Sequence, residues 1–277
     1  MIAVAKWTYI NDRFIEEENA LIHFRDLSVQ RGYGIFDFLK FINYQPLFLD
    51  DHLNRFYSSA REMRLPVMER AELIEVIKQL IQKNNQPEGG IRITLTGGYS
   101  SDGYQLAQPN LIISYHRFQP PTSDQFEKGI ALMTYQHQRQ LPHVKTIDYL
   151  MAIWLQPLIK KNNADDVLYH KDGVVSECPR SNFFIVTKDD TIITPGRNIL
   201  KGVSRMKLME IARDHFEIIE RDVTVDDIKD AKEAFISSTT KLILPVNRID
   251  EQIFNPSKPV TAKLFKALNF FKTQYSL

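Results

Sequence analysis

The sequence has a single cysteine, Cys178, and seven scattered histidines among its 277 residues. One cysteine excludes a disulfide bond within the chain and is typical of proteins in a reducing compartment, so we expect a cytoplasmic protein. No group of histidines and cysteines has the spacing of metal ligands, and we predict no metal site.

The chain also lacks an excess of charge and any long apolar segment. Its 35 lysines and arginines balance 34 aspartates and glutamates, and at most two basic residues are adjacent. Neither a nucleic acid nor an anionic membrane is therefore an expected partner. The apolar runs are far shorter than the roughly 20 residues of a membrane-spanning helix. The N-terminal segment lacks the apolar core that a signal peptide needs.

What is present is the composition of a globular protein. Apolar residues make up 43% of the chain and charged residues 25%, and the length is sufficient for two domains with cores. Segments with strand-like alternation and segments with helical periodicity both occur, which predicts a mixed α/β fold. The proline-rich stretch 118–123 is the best linker. We predict an N-terminal domain over 1–118, a linker over 119–125 and a C-terminal domain over 126–277.

The stretch from Leu168 to Phe184 predicts a β-hairpin whose second arm is interrupted by polar residues. Its turn signal is the tripeptide 171–173, Lys-Asp-Gly. Glu177 lies between two apolar runs, where burial of a carboxylate is unfavourable unless a cation or hydrogen-bond donors meet it. Spacing alone favours a glutamate that faces water.

Two other polar segments carry residues suited to chemistry. A lysine in apolar surroundings can be an unprotonated amine, although Lys145 by itself would be a solvated charge before a helix. Tyr149 would lie four residues further on the same helical face. Gly202 and Ser204 precede a predicted helix over 205–215 and offer either free backbone N–H groups for an anion or an ordinary serine N-cap.

Five motifs, each weak alone, occur together in one order and resemble the fold-type IV (class IV) pyridoxal-phosphate aminotransferases. They are H-L-x-R-F at 52–56, K-T-x-x-Y-L at 145–150, E-x-x-R-S-N-F-F at 177–184, I-L-x-G-[VI]-[ST]-R at 199–205 and S-S-T-T at 237–240. The resemblance covers nearly the whole chain. It implies a two-domain fold like that of the D-amino-acid aminotransferases, pyridoxal 5′-phosphate as cofactor, and a homodimer whose partner helps close each site.

The resemblance also implies roles for single residues. Lys145 would be the Schiff-base lysine and general acid–base, and Glu177 the partner of the ring nitrogen. Arg55 would bind the cofactor phosphate, where the residue types alone favour a surface arginine paired with Asp51. Tyr149 would either reach the cofactor or simply pack. The implied cofactor-binding residues are Arg55, Lys145, Tyr149, Glu177, Val203, Ser204 and Thr240, and the substrate-binding residues are Arg31, Phe36, Arg92, Arg180 and Thr239.

Departures from the family pattern bear on the substrate. Leu27, Arg31 and Tyr33 differ from the family's D-R-G-x-x-x-G-D-G-V-F-E motif, in a region that shapes the substrate pocket. Arg180 replaces part of a run of small residues after the glutamate. Together with Arg92 these arginines predict a pocket rich in cations, and guanidinium groups suit carboxylates such as those of glutamate or 2-oxoglutarate.

This pattern resembles an arginine-rich subgroup of D-amino-acid aminotransferases, which is our first interpretation. A branched-chain L-amino-acid aminotransferase is the second, and an aminodeoxychorismate lyase is the third. The arginines would equally be explained by structural ion pairs. A hypothesis of another class is a non-catalytic homodimeric binding protein with the same fold, and the joint presence of the lysine, the glutamate and the glycine-serine segment argues against it.

Overall fold

A computed structural model describes residues 6–117, 121–254 and 257–275. Part of the predicted linker, residues 118–120, lies outside the described residues. The chain divides into two compact units, and the first contains the described residues up to 117 together with Val144–Asp148. The second contains 121–143 and the described residues from Tyr149 onwards. Residues 144–148, which we predicted in the C-terminal domain, group with the first unit. The domain boundaries stay a prediction.

The first unit is an antiparallel sheet with helices. Its strands are β1 (Trp7–Ile10), β2 (Arg13–Glu16), β3 (Gly34–Ile42), β4 (Gln45–Pro46), β5 (Glu88–Thr96) and β6 (Leu111–His116), in the order β2-β1-β6-β5-β3-β4. Its helices are α1 (Leu27–Arg31), α2 (Leu49–Glu62) and α3 (Arg70–Asn84), and a short 3-10 turn spans Glu17–Asn19.

Strand β3 has one face that packs into the apolar core of this unit. Alternate residues point to one face, and Ile35, Leu39 and Phe41 are fully buried there in a core that includes Leu53 and Phe56 of α2. Burying such side chains stabilises the fold by about 1.5–3 kcal/mol each. The same alternation places the residue at position 37, an aspartate, on this apolar face.

The second unit is built on a larger mixed sheet. Its strands are β7 (Ile130–Gln136), β8 (Asp166–Lys171), β9 (Val174–Val175), β10 (Glu177–Cys178), β11 (Ser181–Val186), β12 (Ile192–Pro195), β13 (Ile218–Arg221), β14 (Val223–Thr224), β15 (Glu233–Ser238), β16 (Leu242–Ile249) and β17 (Gln252–Ile253). Nine of them follow the order β13-β12-β11-β15-β16-β7-β8-β9-β14, with β10 paired to β11 and β17 to β16. Its helices are α4 (Ser123–Lys128), α5 (Leu150–Trp154), α6 (Gln156–Lys161), α7 (Val203–Ala212), α8 (Val225–Asp230) and α9 (Pro259–Tyr275).

Strand β11 is buried on both faces, which explains its continuous apolar run. On one face Phe184 stacks on Phe235 with ring centres 4.7 Å apart, and this pair packs with Leu208 of α7 and Leu264 of α9. The other face belongs to a separate core that includes Phe183. The sheet thereby fixes where α7 begins relative to the start of β11.

The predicted hairpin turn is confirmed, but its second arm ends at Val175 and the apolar run after it is the separate strand β11. Strands β8 and β9 pair antiparallel around Asp172 and Gly173, which both have positive φ, as a tight hairpin turn requires. After Val175 the chain leaves this pairing, and Glu177 instead pairs with Asn182 of β11. The expected mixed α/β class is therefore present. In the described part of the chain, no helix is long and apolar enough to cross a membrane.

Candidate functional site

Lys145 is held by its backbone against β3 and α2. The N–H of Phe36 donates to the carbonyl of Lys145 at 3.0 Å, and the N–H of Lys145 donates to Oγ of Ser59 at 3.3 Å. The N–H of Ile147 donates to the carbonyl of Gly34 at 3.1 Å. These bonds make the lysine segment an extension of the sheet, so β3 and α2 together fix where the half-buried lysine side chain begins.

The predicted helical relation between Lys145 and Tyr149 is wrong. Residues 144–148 form no helix, because the carbonyl of Lys145 and the N–H of Ile147 pair with β3 instead of with groups of their own segment. Helix α5 begins only at Leu150, and Tyr149 is its N-cap with φ −126°. Lys145 belongs to the first unit and the half-buried Tyr149 to the second. The contact of Tyr149 with a cofactor stays a prediction.

Two cationic side chains contact the aromatic ring of Phe36. The Cζ atom of Arg92 lies 4.0 Å from the centre of the Phe36 ring, and Nζ of Lys145 lies 4.5 Å from it. Such contacts are favourable by about 0.5–2 kcal/mol. Nε of Arg92 donates to Oγ1 of Thr94 at 3.3 Å, which confirms that these two residues share a face of β5. An amine and a carboxylate-binding group next to one apolar ring suit a substrate with a carboxylate beside its reacting carbon.

A buried carboxylate, Asp37, holds Arg55 and His52 of α2. Arg55 donates from Nε to Oδ2 and from Nη2 to Oδ1 of Asp37, both at 2.8 Å. Nδ1 of His52 lies 2.7 Å from Oδ1. The Arg55 side chain is only 12% exposed, so it is not a surface arginine of the kind that its residue type alone favours. The Nη1 group forms no hydrogen bond to the residues that the structure describes, and its role in phosphate binding stays a prediction.

The charges of this cluster follow from its surroundings. Burial raises the pKa of Asp37, but the charge of Arg55 and the contact with His52 outweigh it and bring the pKa below its usual value. Burial lowers the pKa of His52 more than Asp37 raises it, and the charges of Arg55 and Lys145 lower it further. Asp37 therefore stays ionised beside Arg55, with Nδ1 of His52 against the same carboxylate. Neither residue was predicted as part of a site, although the alternation of β3 places an aspartate on the apolar face.

In the second unit, Glu177 is buried and bonded through both carboxylate oxygens. Oε1 accepts from Nη1 of Arg139 at 2.9 Å, and Oε2 accepts from Nδ2 of Asn182 at 3.2 Å and from the N–H of Leu200 at 3.0 Å. Only 5% of the residue is exposed, so the interpretation of a water-facing glutamate is wrong. Arg139 was missed, because its only signal in the sequence is one arginine in a polar segment.

The start of helix α7 is free of any side-chain cap. Its N-cap is Gly202, and the helix begins at Val203, two residues before the predicted start, and ends at Ala212 rather than at residue 215. Ser204 is therefore inside the first turn and is not the N-cap. The first N–H groups of a helix have no acceptor within it, and they carry the positive end of its dipole. This start is therefore suited to an anion such as a phosphate.

Asn182 connects the α7 start with Glu177. Besides its bond to Glu177, Nδ2 of Asn182 donates to the carbonyl of Leu200 at 2.7 Å. A Cβ atom added to Gly202 would overlap with Oδ1 of the same asparagine. Glu177, Asn182 and the segment 200–202 thus form one close-packed group within the second unit.

The remaining predicted residues lie on turns and helix ends. Arg180 is 67% exposed in the β10–β11 turn, with Nη2 4.0 Å from Oδ2 of Asp166. Arg31 is exposed at the end of α1, where Nη1 donates to the carbonyl of Gln30 at 3.0 Å. Thr239 and Thr240 are half-buried in the β15–β16 turn, and Oγ1 of Thr240 lies 3.3 Å from Oγ of Ser238.

These residues fit the needs of pyridoxal phosphate. The cofactor requires an amine, a carboxylate beside its ring nitrogen and a set of donors for its phosphate. The first unit supplies Lys145. The second supplies a buried carboxylate that accepts a hydrogen bond from an arginine, and an uncapped helix start held to it by Asn182. No cluster of metal-binding side chains occurs within the described ranges.

Comparison with known proteins identifies the family of the chain. The family model for amino-transferase class IV matches residues 34–249. D-alanine aminotransferase of Staphylococcus haemolyticus is 29% identical over 271 residues, which cover 94% of this chain and 96% of that protein. The enzyme of the same name from Bacillus licheniformis is 27% identical over 256 residues, 90% of each chain.

Solved structures show the same fold. The branched-chain amino acid aminotransferase of Escherichia coli superposes with a TM-score of 0.90 at 22% identity, covering 99% of this chain and 96% of that one. A hypothetical aminotransferase from Mycobacterium tuberculosis in its PLP-bound form gives 0.85 at 21% identity, covering 97% and 99%. The predicted fold type, the transaminase activity on amino acids and the cofactor are thereby confirmed. The chain belongs to the class IV aminotransferase family.

Proposed function

We propose that this enzyme is a D-amino-acid aminotransferase that moves the amino group of a D-amino acid to a 2-oxo acid such as 2-oxoglutarate. The observation that carries the proposal is the set of relatives named D-alanine aminotransferase, which are 27% to 29% identical over most of both chains. The position of Arg92 and Lys145 around Phe36 supports it, because a carboxylate held by the guanidinium would lie close to the amine.

Each half-reaction uses groups that the chain itself provides. When bound, pyridoxal phosphate supplies a carbonyl carbon for the amino group and a ring that takes up electrons from the substrate α-carbon. Nζ of Lys145 would act as general acid–base that moves a proton between the substrate α-carbon and C4′ of the cofactor. Glu177 would favour a proton on the ring nitrogen, and hydrogen bonds from Arg139 and Asn182 orient the Glu177 carboxylate. Amino acid enters and keto acid leaves before the second substrate binds.

The phosphate contacts are assigned to donors of known geometry. The N–H groups of Val203 and Ser204 lie in the uncapped first turn of α7. Arg55 would add its Nη1 edge, since Asp37 holds the other edge of the guanidinium. Thr240 would add a hydroxyl, and Tyr149 a contact to the ring.

The substrate contacts are assigned to arginines and to the apolar ring. Arg92 would bind the α-carboxylate, with Phe36 lining the pocket beside it. Arg180 is mostly exposed, and its Nη2 is as far as 4.0 Å from Oδ2 of Asp166. This ion pair is therefore weak, and the guanidinium can turn to a substrate. Arg31 and Thr239 complete the set as candidates for a second carboxylate.

We also propose a homodimer in the cytoplasm. Leu150, Ile153 and Trp154 share one face of α5 and are more than half exposed, which is typical of a surface that a partner subunit covers. The single cysteine is buried and unpaired, in keeping with a reducing compartment.

The test is a half-reaction spectrum. The purified enzyme loaded with pyridoxal phosphate is mixed separately with D-glutamate, D-alanine, L-leucine and L-glutamate. Conversion of the lysine-bound cofactor to its pyridoxamine form with D-substrates only is the expected result. Conversion with L-leucine would instead assign branched-chain transamination, and a spectrum that no substrate changes would assign the lyase reaction. Lys145→Ala is the control that converts none of them.

A further inference from the structure

Asn182 lies at the start of β11 with its side chain beside Glu177. The two residues are direct partners in the β10–β11 register, which puts their side chains on one face of the hairpin. Asn182 is only 6% exposed. Its Nδ2 group bridges two acceptors, Oε2 of Glu177 at 3.2 Å and the carbonyl of Leu200 at 2.7 Å.

The other side of the same amide contacts the α7 start. Gly202 has φ −67° and ψ 140°, an ordinary extended conformation that any residue adopts. A glycine is therefore not required by the backbone. It is required by space, because a Cβ atom at this position would overlap with Oδ1 of Asn182.

We propose that Asn182 is a positioning residue that sets the distance between the Glu177 carboxylate and the first turn of α7. The proposal rests on the cofactor contacts assigned above to these two groups. A rigid ligand that binds both groups at once loses affinity when their spacing changes, even if each group stays intact. Asn182 would thus let one rigid support serve the ring nitrogen and the phosphate together.

The test compares apoenzyme affinity for pyridoxal phosphate and for pyridoxal, which lacks the phosphate. Gly202→Ala pushes α7 away from Asn182, and we expect the dissociation constant for pyridoxal phosphate to rise about tenfold or more, with a much smaller change for pyridoxal. Asn182→Ala frees Leu200 and Glu177 and has an effect of similar size. In the double variant the overlap is gone, so adding Gly202→Ala to Asn182→Ala should change the affinity by about twofold or less.

The control is Asn84→Ala in the first unit. Asn84 is as buried as Asn182, and its Nδ2 also bridges two acceptors, the carbonyls of Trp7 and Leu80. Its loss should destabilise the fold and leave the preference for pyridoxal phosphate over pyridoxal unchanged. Asn182→Ser replaces Asn182→Ala in the same cycle if the alanine variant does not fold.

If Gly202→Ala lowers the affinity for pyridoxal phosphate equally in wild type and in Asn182→Ala, the positioning role is overturned. That result differs from a failure of the proposed contacts themselves. If Glu177→Gln changes neither the affinity nor the cofactor absorbance, the assigned cofactor contacts and the positioning role both fail. Neither outcome depends on which amino acid is the substrate, so the D-amino-acid proposal is tested separately.

Discussion

Helices α7 and α9 pack on the same face of β11 and β15, but their first turns are completed differently. At α9 the carboxylate of Glu233 accepts from the N–H groups of Val260 at 3.1 Å and Thr261 at 2.9 Å, and from the Thr261 hydroxyl at 2.6 Å. At α7 the N-cap is a glycine and no side chain caps the first turn. One helix start holds the chain's own anion, and the other is open to an external one.

The difference shows that neither a buried glutamate nor a helix start marks a functional site by itself. Glu233 is 3% exposed and Glu177 5%, so burial does not separate them. Their partners do. Glu233 is bonded to a helix start and has a structural role, whereas Glu177 is bonded to Arg139 and to the chain that leads into α7. The start of α7 is the candidate site, because its backbone N–H groups are left for a ligand.

We expect the largest effect from a variant that removes the carboxylate at the start of α9. Glu233→Ala leaves two buried N–H groups and a hydroxyl without their acceptor, and should lower the free energy of unfolding of the apoenzyme by about 2–4 kcal/mol. Urea unfolding measures it. Glu233→Gln keeps one acceptor oxygen and should lose less. A loss of preference for pyridoxal phosphate over pyridoxal in folded Glu233→Ala would contradict a purely structural role.

We expect the next largest effect from a variant that removes one N–H donor from the start of α7. Proline is tolerated at the first position of a helix, so Val203→Pro should keep α7 while deleting one N–H group. We expect the affinity for pyridoxal phosphate to fall about tenfold to a hundredfold, the size of a hydrogen bond to a charged group. Titration of the apoenzyme measures it. Val203→Ala loses the same side chain but keeps the N–H group, and should bind nearly as wild type does.

A third variant separates the ring contact from the phosphate contact. Arg139→Met removes the cation at Glu177 and leaves α7 unchanged. Pyridoxal phosphate and pyridoxal should both bind about tenfold more weakly, because the lost charge acts at the ring nitrogen. The ratio of the two dissociation constants should therefore stay constant, and a selective loss for the phosphate form would argue against this division. Arg139→Lys, which keeps the charge, should recover part of the affinity.

The smallest effect concerns a third helix start, that of α8, which the chain also closes with its own carboxylate. The hydrogen bond from Arg221 is the largest cause that lowers the pKa of Asp227 to about 2. A lowered pKa stabilises the fold above the unfolded value of about 3.9, and this contribution is lost as the pH falls towards 2. Because the pair lies near the surface, we expect less than about 1 kcal/mol. Between pH 2 and 5 the free energy of unfolding should fall less steeply in Asp227→Asn than in wild type, and Asp226→Asn should keep the wild-type slope.

The sequence patterns predicted those elements whose structure depends on residues close together in the chain. The turn at 172–173, the apolar strand β11 and the final helix are all encoded by adjacent residues. The motifs also predicted the family and the cofactor. The start of α7 was placed two residues late, because Ser204 has the properties of an N-cap. Nothing local in the sequence indicates the close approach of Gly202 to Asn182, twenty positions earlier.

Long-range contacts also decide the geometry of the site. Spacing alone favoured a water-facing Glu177, because its partner Arg139 is 38 positions away in the sequence, and only the family resemblance gave Glu177 a role. Tyr149 was placed on a helix with Lys145, because the lysine segment contains no helix breaker. What keeps this segment out of a helix is its pairing with β3, more than a hundred residues earlier. Long-range partners of this kind are not visible in one sequence.

The most direct measurement is the ratio of the dissociation constants for pyridoxal and pyridoxal phosphate in apoenzymes of wild type, Val203→Pro and Glu233→Ala. The α7 start should determine this ratio, so it should fall about tenfold or more in Val203→Pro and stay at the wild-type value in Glu233→Ala. An unchanged ratio in Val203→Pro, or an equal fall in Glu233→Ala, would contradict the distinction between the open and the closed helix start.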